Sequence, residues 1–194
     1  MKRATSLTLA TRNPHKLREF SRLLAPAAVS VAPLPEAVQL PPEDGATFAD
    51  NALTKARAAA AALNIAVIAD DSGIEAEALG GGPGVRSARY AGEGASDEQN
   101  LAKLLREVPA GSALRYVCAL VYADPQAGCE QVFFGECRGR LAAQPRGTRG
   151  FGYDPAFVAD GFGERTMAQL SDEEKDSISH RGEAVRALVR WLRR

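Results

Sequence analysis

The chain has 194 residues, 45% of them hydrophobic, so it can bury a core as one domain or as one domain with a small lobe. Twenty-four Lys and Arg balance twenty-four Asp and Glu, which argues against an overall basic field that would attract nucleic acid or an anionic membrane. Any anion site must therefore be local.

Short strands and helices alternate in the first third of the chain. Residues 7–10 read as a buried strand, and Asn13-Pro14 supplies a helix N-cap followed by proline at the first helical position. Prolines make 26–46 a loop with room for one strand at 29–32. Thr47 to Asp50 resembles a capping box that opens a helix through Leu63.

The remaining two thirds predict a sheet flanked by helices. The apolar strand 65–69 is expected to stop at the Asp-Asp-Ser-Gly of 70–73, and 80–94, with six glycines, is expected to be a loop. Ser96 caps a helix to about Glu107, and 115–122 and 130–138 form two antiparallel strands. A glycine-rich turn at 147–152, a short helix opened by Ser171 and an amphipathic C-terminal helix complete the chain.

The turn after the first strand is a candidate phosphate site. Its sequence is Thr11-Arg12-Asn13-Pro14-His15-Lys16. Free N–H groups and the helix dipole attract anions at such a turn, and Lys16 adds a full charge. The turn lacks the GxxxxGK[ST] pattern of a P-loop. On these residues alone, an ordinary connection from strand to helix remains the alternative.

Carboxylates form a second candidate site. Asp70-Asp71 follow a predicted strand, and Glu43-Asp44 lie in the loop before the helix that carries Asn51 and Lys55. Mg²⁺ is usually held by one or two carboxylates together with substrate phosphates. The alternative is a solvated Asp-Ser-Gly turn. Asn51 and Lys55 are four residues apart and share one helix face, which can point at a ligand or at solvent.

Aromatic and basic residues form a third candidate site. The segment Gly150-Phe151-Gly152-Tyr153-Asp154-Pro155 places rings between glycines, either as a platform for a stacked base or as a tight turn with both rings in the core. Further along, Lys175, His180 and Arg181 supply donors suited to keto oxygens or phosphate. No arrangement of a Ser or Cys nucleophile with His is evident, so covalent catalysis is not predicted.

Six blocks in this order resemble the inosine/xanthosine triphosphate pyrophosphatase family, also called Ham1-like. They are TRNPHK, E-x(3)-TF-x-DNA-x(2)-KA from Glu43 to Ala56, ADDSG, LGGGPGVRSARYAG, FGYDP and SHRG, within residues 7–192. The resemblance implies an α/β fold with a long, mixed, curved sheet flanked by helices. It also implies a single pyrophosphatase domain over 1–194, with two lobes and a central substrate cleft, and a homodimer.

The resemblance further implies Mg²⁺-dependent hydrolysis of ITP, dITP and XTP to the monophosphate and pyrophosphate, which cleanses the nucleotide pool. Glu43 and Asp71 would hold the metal, and Asp71 would accept the proton of the attacking water. Substrate contacts are implied for Thr11, Arg12, Asn13, Pro14, His15, Lys16, Lys55, Ser72, Phe151, Gly152, Tyr153, Asp154, Lys175, His180 and Arg181.

Two positions depart from the family pattern or leave a choice within it. The family more often has a small or amide residue where this chain has Arg12, which adds a positive charge beside the phosphates. Asp44 stands beside Glu43, and the offset to Thr47 favours Glu43 as the metal ligand. Base selectivity would follow from the six-oxygen of hypoxanthine and xanthine, an acceptor that His180 or Arg181 can satisfy.

Three other functions are possible readings of these residues. A Maf-like nucleotide pyrophosphatase shares the general design but lacks the FGYDP and SHRG blocks. A non-catalytic nucleotide sensor would bind without turnover, against which Lys16, Glu43, Asp71 and Lys175 are all present. A nucleic-acid-binding protein that reads bases through Phe151 and Tyr153 is disfavoured by the balanced charge.

The chain is expected to be cytoplasmic and to contact no membrane. The apolar run at 7–10 is too short for the hydrophobic region of a signal peptide, and no stretch of eighteen apolar residues occurs. The cysteines, Cys118, Cys129 and Cys137, have no metal-binding spacing and are expected to be reduced thiols.

Overall fold

A computed structural model describes residues 6–194. Six strands form one sheet in the order β2-β1-β3-β4-β5-β6. The strands are β1 Ser6–Leu9, β2 Ser30–Pro33, β3 Val67–Ala76, β4 Ala113–Asp124, β5 Cys129–Leu141 and β6 Phe157–Ala159. The helices are α1 Pro14–Leu24, α2 Phe48–Leu63, α3 Asp97–Glu107, α4 Asp172–Ile178 and α5 His180–Leu192.

The sheet is mixed, as expected of the predicted α/β fold. β1 pairs in parallel with β2 and with β3, whereas β5 and β6 are antiparallel. β4 and β5 are neighbours joined by only four residues, 125–128. A parallel connection needs a crossover of a dozen or more residues, so this pair is antiparallel as predicted. The α/β class, with a mixed sheet and flanking helices, is confirmed.

Local capping signals place the helix starts. The Asn13 side chain caps α1 with Pro14 at its first position. Capping boxes open α2 at Thr47, α3 at Ser96 and α4 at Ser171. In each, the capping side chain accepts a hydrogen bond from the backbone N–H three residues later, and the side chain of that later residue accepts one from the backbone N–H of the capping residue. These four starts are where the sequence predicts them.

The predicted end of the third strand is wrong. β3 does not stop at Asp70 but continues through Gly73 to Ala76. Asp70 is fully buried rather than solvated in a turn. At Gly73 a side chain would collide with Ser87 and with the carbonyl oxygen of Gly84. The glycine therefore serves close backbone packing within an extended strand, and not a turn.

Two compact units divide the chain. The first contains residues 6–71, Cys118–Gly135 and Arg181–Arg194; the second contains Ser72–Val117 and Glu136–His180. Each has its own buried apolar core. The first core includes Leu7, Phe20, Ile68, Leu120 and Leu188, and the second includes Ile74, Leu104, Tyr116, Phe157 and Met167.

The glycine-rich segment 80–94 is only partly irregular, because a 3₁₀ helix runs from Gly84 to Arg89. The cysteines, Cys118, Cys129 and Cys137, are all free. Within residues 6–194, no helix has the length and apolar character needed to cross a membrane.

Candidate active site

The turn before α1 is organised by its own side chains. Asn13 Oδ1 accepts hydrogen bonds from the backbone N–H groups of His15 at 2.8 Å and Lys16 at 3.3 Å, and the Asn13 N–H donates to Thr11 Oγ1 at 3.2 Å. Two donors of the predicted phosphate cradle are therefore already engaged by the helix cap. The positive charge of Lys16 and the helix dipole are the features of this turn that attract an anion.

Lys16 joins three buried charged side chains in one network. Its Nζ lies 3.0 Å from Asp70 Oδ2. Arg181 reaches the same carboxylate at 3.6 Å and donates to Glu19 Oε2 at 3.0 Å. Burial alone would raise the pKa of Asp70, but Lys16 and Arg181 outweigh it and hold that pKa well below its usual range. The Asp70 carboxylate therefore stays ionised and can hold the Lys16 side chain in place.

A second cluster surrounds Asp71. Asn51 Nδ2 donates to Asp71 Oδ2 at 2.8 Å. Lys55, one turn further along α2, donates to Glu43 Oε1 and, at 2.7 Å, to the carbonyl oxygen of Asp70. Asn51, Lys55 and Asp71 are all buried. The shared helix face predicted for Asn51 and Lys55 thus points at the acids rather than at solvent.

Electrostatics set the protonation of this cluster. Burial alone would lower the pKa of Lys55, but Asp70, Glu43 and Asp71 outweigh it, so the pKa is raised and the ammonium stays charged. Burial raises the pKa of Asp71 above its usual range, although Lys16 and Lys55 oppose the change. A buried carboxylate with a raised pKa is a better proton acceptor than an exposed one.

Arg12 is engaged by a loop. Its guanidinium donates to the carbonyl oxygens of Leu34 at 2.8 Å, Pro35 at 2.9 Å, Glu36 at 3.2 Å and Val38 at 2.6 Å. These contacts assign Arg12 the role of fastening the proline-rich segment before Glu43. Nearby, His15 Nδ1 lies 2.8 Å from a nitrogen of Arg18 on the exposed side of α1.

Asp154 is the centre of a cluster in the second unit. Its Oδ2 lies 2.6 Å from Lys175 Nζ and accepts the backbone N–H of Phe151 at 2.9 Å. Its Oδ1 accepts the Tyr116 hydroxyl at 3.2 Å. Lys175 Nζ also lies 5.4 Å from the centre of the Phe151 ring. Phe151, Asp154 and Lys175 are thus brought together, as the resemblance implies.

Tyr153 occupies the core position that the sequence left open as an alternative. The side chain is 5% exposed and belongs to the apolar core of the second unit. Its hydroxyl donates to the carbonyl oxygen of Ser87 at 2.7 Å. The neighbouring Gly152 N–H donates to Asp97 at 2.8 Å. Within this segment, Phe151 is the half-buried ring.

His180 and Arg181 are adjacent in sequence but belong to different units. The His180 ring stacks on Tyr116 with centroids 4.7 Å apart and planes inclined by 7°. Arg181 joins the network of Lys16, Glu19 and Asp70 described above. The structure therefore groups Arg181 with the candidate phosphate residues and His180 with the cluster around Asp154. The implied role of both at the edge of the base stays a prediction.

The donor set near Asp71 fits a magnesium ion. Glu43 and Asp71 supply hard carboxylate oxygens, and Glu43 contacts Lys55 while Asp71 contacts Asn51 on the same helix. Mg²⁺ commonly binds one or two protein carboxylates with substrate phosphates completing its shell. Among residues 6–194, no group of three or more His, Cys, Asp or Glu side chains is arranged to hold a metal ion.

Three residues of these clusters were not predicted in the roles that the structure gives them. Glu19 and Tyr116 were missed, and Asp70 was considered only for a metal. Glu19 lies three residues after Lys16 in the amphipathic helix α1, next to the buried Phe20. A charged residue on the apolar face of a helix is the feature of the sequence that could have indicated it. Tyr116 reads as an ordinary apolar strand position, and no local signal distinguishes it.

The chain is an α/β protein with an acidic cluster around Asp71 and a cluster of aromatic and charged side chains around Asp154. Comparisons with known proteins define its family. The model of the Ham1 family matches residues 7–191. The chain belongs to the Ham1 family.

Individual relatives match over nearly their full length. A protein of Mycolicibacterium paratuberculosis named dITP/XTP pyrophosphatase is 48% identical, with 94% of this chain and 93% of the relative covered. The solved Ham1 protein of Staphylococcus aureus is similar with a TM-score of 0.82 at 39% identity, covering 97% of this chain and 98% of that one. The HAM1 protein of Coxiella burnetii gives a TM-score of 0.85 at 36% identity, covering 96% and 98%.

Proposed function

We propose that this chain is a Mg²⁺-dependent pyrophosphatase that hydrolyses ITP, dITP and XTP to the nucleoside monophosphate and pyrophosphate. The observation that carries the proposal is the cluster of Asp71 with Asn51, Lys55 and Glu43 in a Ham1 family chain. It offers a proton acceptor, fixed positive charge and carboxylate oxygens in one place. Relatives named dITP/XTP pyrophosphatase, 45–48% identical, support the choice of substrate.

Asp71 is the proposed general base. The reaction cleaves the phosphoanhydride between the α and β phosphates, water supplies the oxygen, and the Asp71 carboxylate takes the proton of that water. The hydrogen bond from Asn51 to Oδ2 holds this carboxylate in place. A general base typically contributes 10²- to 10⁴-fold to a rate, roughly, when it is positioned within hydrogen-bond reach.

Charge on the triphosphate is the second requirement. Lys16 and Lys55 are the proposed phosphate ligands, and each is held by carboxylates that keep its ammonium in place. Preorganised positive charge costs no reorganisation when negative charge shifts toward the leaving group. Glu43 and Asp71 are the proposed ligands of Mg²⁺, which when bound supplies Lewis-acid neutralisation of phosphate charge.

The cluster around Asp154 is the proposed base-binding group. The Phe151 ring offers a stacking surface, and its backbone is fixed by Asp154. Lys175 and His180 are the proposed donors toward the six-oxygen of hypoxanthine or xanthine. Adenine carries an amino donor at that position, so binding it would leave donors opposed and unpaired. Selectivity against ATP follows from this mismatch.

The test is pyrophosphate release from ITP, dITP, XTP, ATP and GTP, with and without Mg²⁺. Wild type is expected to hydrolyse ITP, dITP and XTP, and to do so only when Mg²⁺ is present. Asp71→Asn is expected to lose on the order of 10²- to 10⁴-fold in kcat. Absence of turnover together with tight ITP binding would instead indicate a nucleotide sensor.

Neighbouring acids provide a matched comparison for the metal. Glu43→Gln is expected to raise the Mg²⁺ concentration needed for half-maximal activity. Glu43 forms an ion pair with Lys55 and is near enough to Asp71 to interact with it electrostatically, so both carboxylates can serve the same ion. Asp44→Asn, one residue away, is expected to change it less. The reverse order would assign the metal to Asp44.

Location and assembly are part of the same proposal. We propose that the protein works in the cytoplasm as a homodimer, on the basis of its resemblance to this family. Light scattering on the purified chain would measure the mass of the particle, and a monomer at working concentrations would contradict the dimer.

A further inference from the structure

Asn51 lies at the fourth position of α2 and is 2% exposed. The capping box of Thr47 and Asp50 fixes the turn that carries it. Its amide makes two hydrogen bonds in the first unit. Nδ2 donates to Asp71 Oδ2 at 2.8 Å, and Oδ1 accepts the backbone N–H of Gly45 at 2.8 Å. A buried polar side chain is therefore paired at both ends.

The orientation of this amide is determined by its partners. The Gly45 N–H can only donate, so it must meet the oxygen of Asn51. The NH₂ group is then directed at Asp71, where an ionised carboxylate can only accept. The contact depends on close approach, because a Cβ at residue 45 would lie 2.7 Å from Asn51 Oδ1 and 2.8 Å from Asp50 Cβ.

The same amide also locates the loop that carries Glu43. Gly45 is two residues beyond Glu43, and the Glu43 carboxylate contacts Lys55 one helical turn after Asn51. Adjacent positions on one face of α2 thus hold both carboxylates that the proposed function assigns to the metal. Neither Glu43 nor Asp71 can shift without breaking a contact to this helix.

We propose that Asn51 is a positioning residue that orients the Asp71 carboxylate and holds the loop of Glu43 in register with it. The inference rests on the proposed function of Asp71. Asn51 acts through Asp71 and Gly45 and not on the substrate. Outer-shell partners of metal-binding carboxylates typically contribute about 10- to 100-fold to metal affinity or activity.

Asn100 provides a matched control within the chain. It also lies at the fourth position of a helix opened by a capping box, α3, and is also 2% exposed. Its Oδ1 accepts the Ala91 N–H at 2.8 Å, and its Nδ2 donates to the Ala88 carbonyl oxygen at 3.1 Å. The partner of Nδ2 distinguishes the two amides, because Nδ2 of Asn51 donates to a carboxylate and Nδ2 of Asn100 donates to a backbone carbonyl oxygen.

The experiment compares Asn51→Ala and Asn100→Ala in the full chain. Both are expected to lower the thermal midpoint, since each removes a buried amide that makes two hydrogen bonds. Only Asn51→Ala is expected to lower kcat about 10- to 100-fold, with a smaller change in KM for ITP. The second readout uses no nucleotide: the Mg²⁺ concentration that half-saturates the rise in thermal midpoint should increase by a similar factor in Asn51→Ala alone.

Asn51→Asp supports the comparison where the alanine variant folds poorly. It keeps the side-chain volume and replaces the donor toward Asp71 by a carboxylate oxygen. The loss in kcat is therefore expected to be at least as large as in Asn51→Ala. Equal effects of the Asn51 and Asn100 substitutions, or losses that only follow the fraction of folded protein, would overturn the inference. Absence of ITP turnover in wild type would instead overturn the proposed function, which separates the two failures.

Discussion

Lys175 and Asp154 form an ion pair, Nζ to Oδ2 2.6 Å, in which the side chains are only 6% and 4% exposed. Asp154 also accepts the Phe151 N–H and the Tyr116 hydroxyl. Removing one partner of a buried pair leaves an uncompensated charge, which costs about 3–5 kcal/mol. Loss of either partner is therefore expected to destabilise the protein.

Asp154→Ala is expected to lower the free energy of unfolding by about 3–5 kcal/mol, because it strands the Lys175 ammonium. Urea unfolding measures the change. Arg165→Ala is the control, since it removes a more exposed pair with Glu174, in which the Arg165 side chain is 48% exposed, and should cost much less. Equal costs for the two variants would mean that Asp154 is not the electrostatic centre of its cluster.

Tyr116 contacts two candidate base-binding residues in different ways. Its ring stacks on His180 and its hydroxyl donates to Asp154. Tyr116→Phe keeps the ring and should lower the free energy of unfolding by about 1–3 kcal/mol for the lost hydrogen bond. Tyr116→Leu also removes the stack and should lose about 0.5–1.5 kcal/mol more. Chemical denaturation of both variants checks the order, and a Phe variant as unstable as Leu would refute a role for the stack.

Arg12 is expected to stabilise the loop and not to recognise substrate. Arg12→Ala frees four carbonyl oxygens in 34–38, so amide hydrogen exchange in this segment should accelerate. Mass spectrometry of exchanged peptides measures the effect. Arg57→Ala is the control, because Arg57 pairs with Glu130 on the surface of the same unit, and it should leave 34–38 unchanged. Unaltered exchange in Arg12→Ala, with a large rise in KM for ITP, would support direct substrate contact instead.

Tyr122 predicts a loss of stability at alkaline pH. Burial, together with Asp124, raises the pKa of Tyr122 to about 12, and the unfolded value is about 10. A raised pKa favours the neutral phenol in the folded state, so its contribution is complete below about pH 10 and is lost as pH rises toward 12. The difference in free energy of unfolding between wild type and Tyr122→Phe, measured by denaturation from pH 8 to 12, isolates the contribution of this residue. A pH-independent difference would contradict the prediction.

Local chemistry explains most of what could be predicted without the structure. Helix starts were correct at Asn13, Thr47, Ser96 and Ser171, since a capping side chain acts on the backbone within three residues. The end of β3 was predicted wrongly. Asp-Asp-Ser-Gly is a turn signal in isolation, but burial of Asp70 among Lys16 and Arg181 keeps the backbone extended.

By itself the sequence determined the α/β class, the ordered motif blocks that identify the Ham1 family, and the residue types of the candidate site. Only the tertiary structure decided which charges meet. Glu19 pairs with Arg181, which is 162 residues away in the chain, and Asn51 meets Asp71 across 20 residues. Spacing in sequence carries no information about such distant pairs. They form because a buried charge or amide must find a partner wherever packing brings one within hydrogen-bond distance.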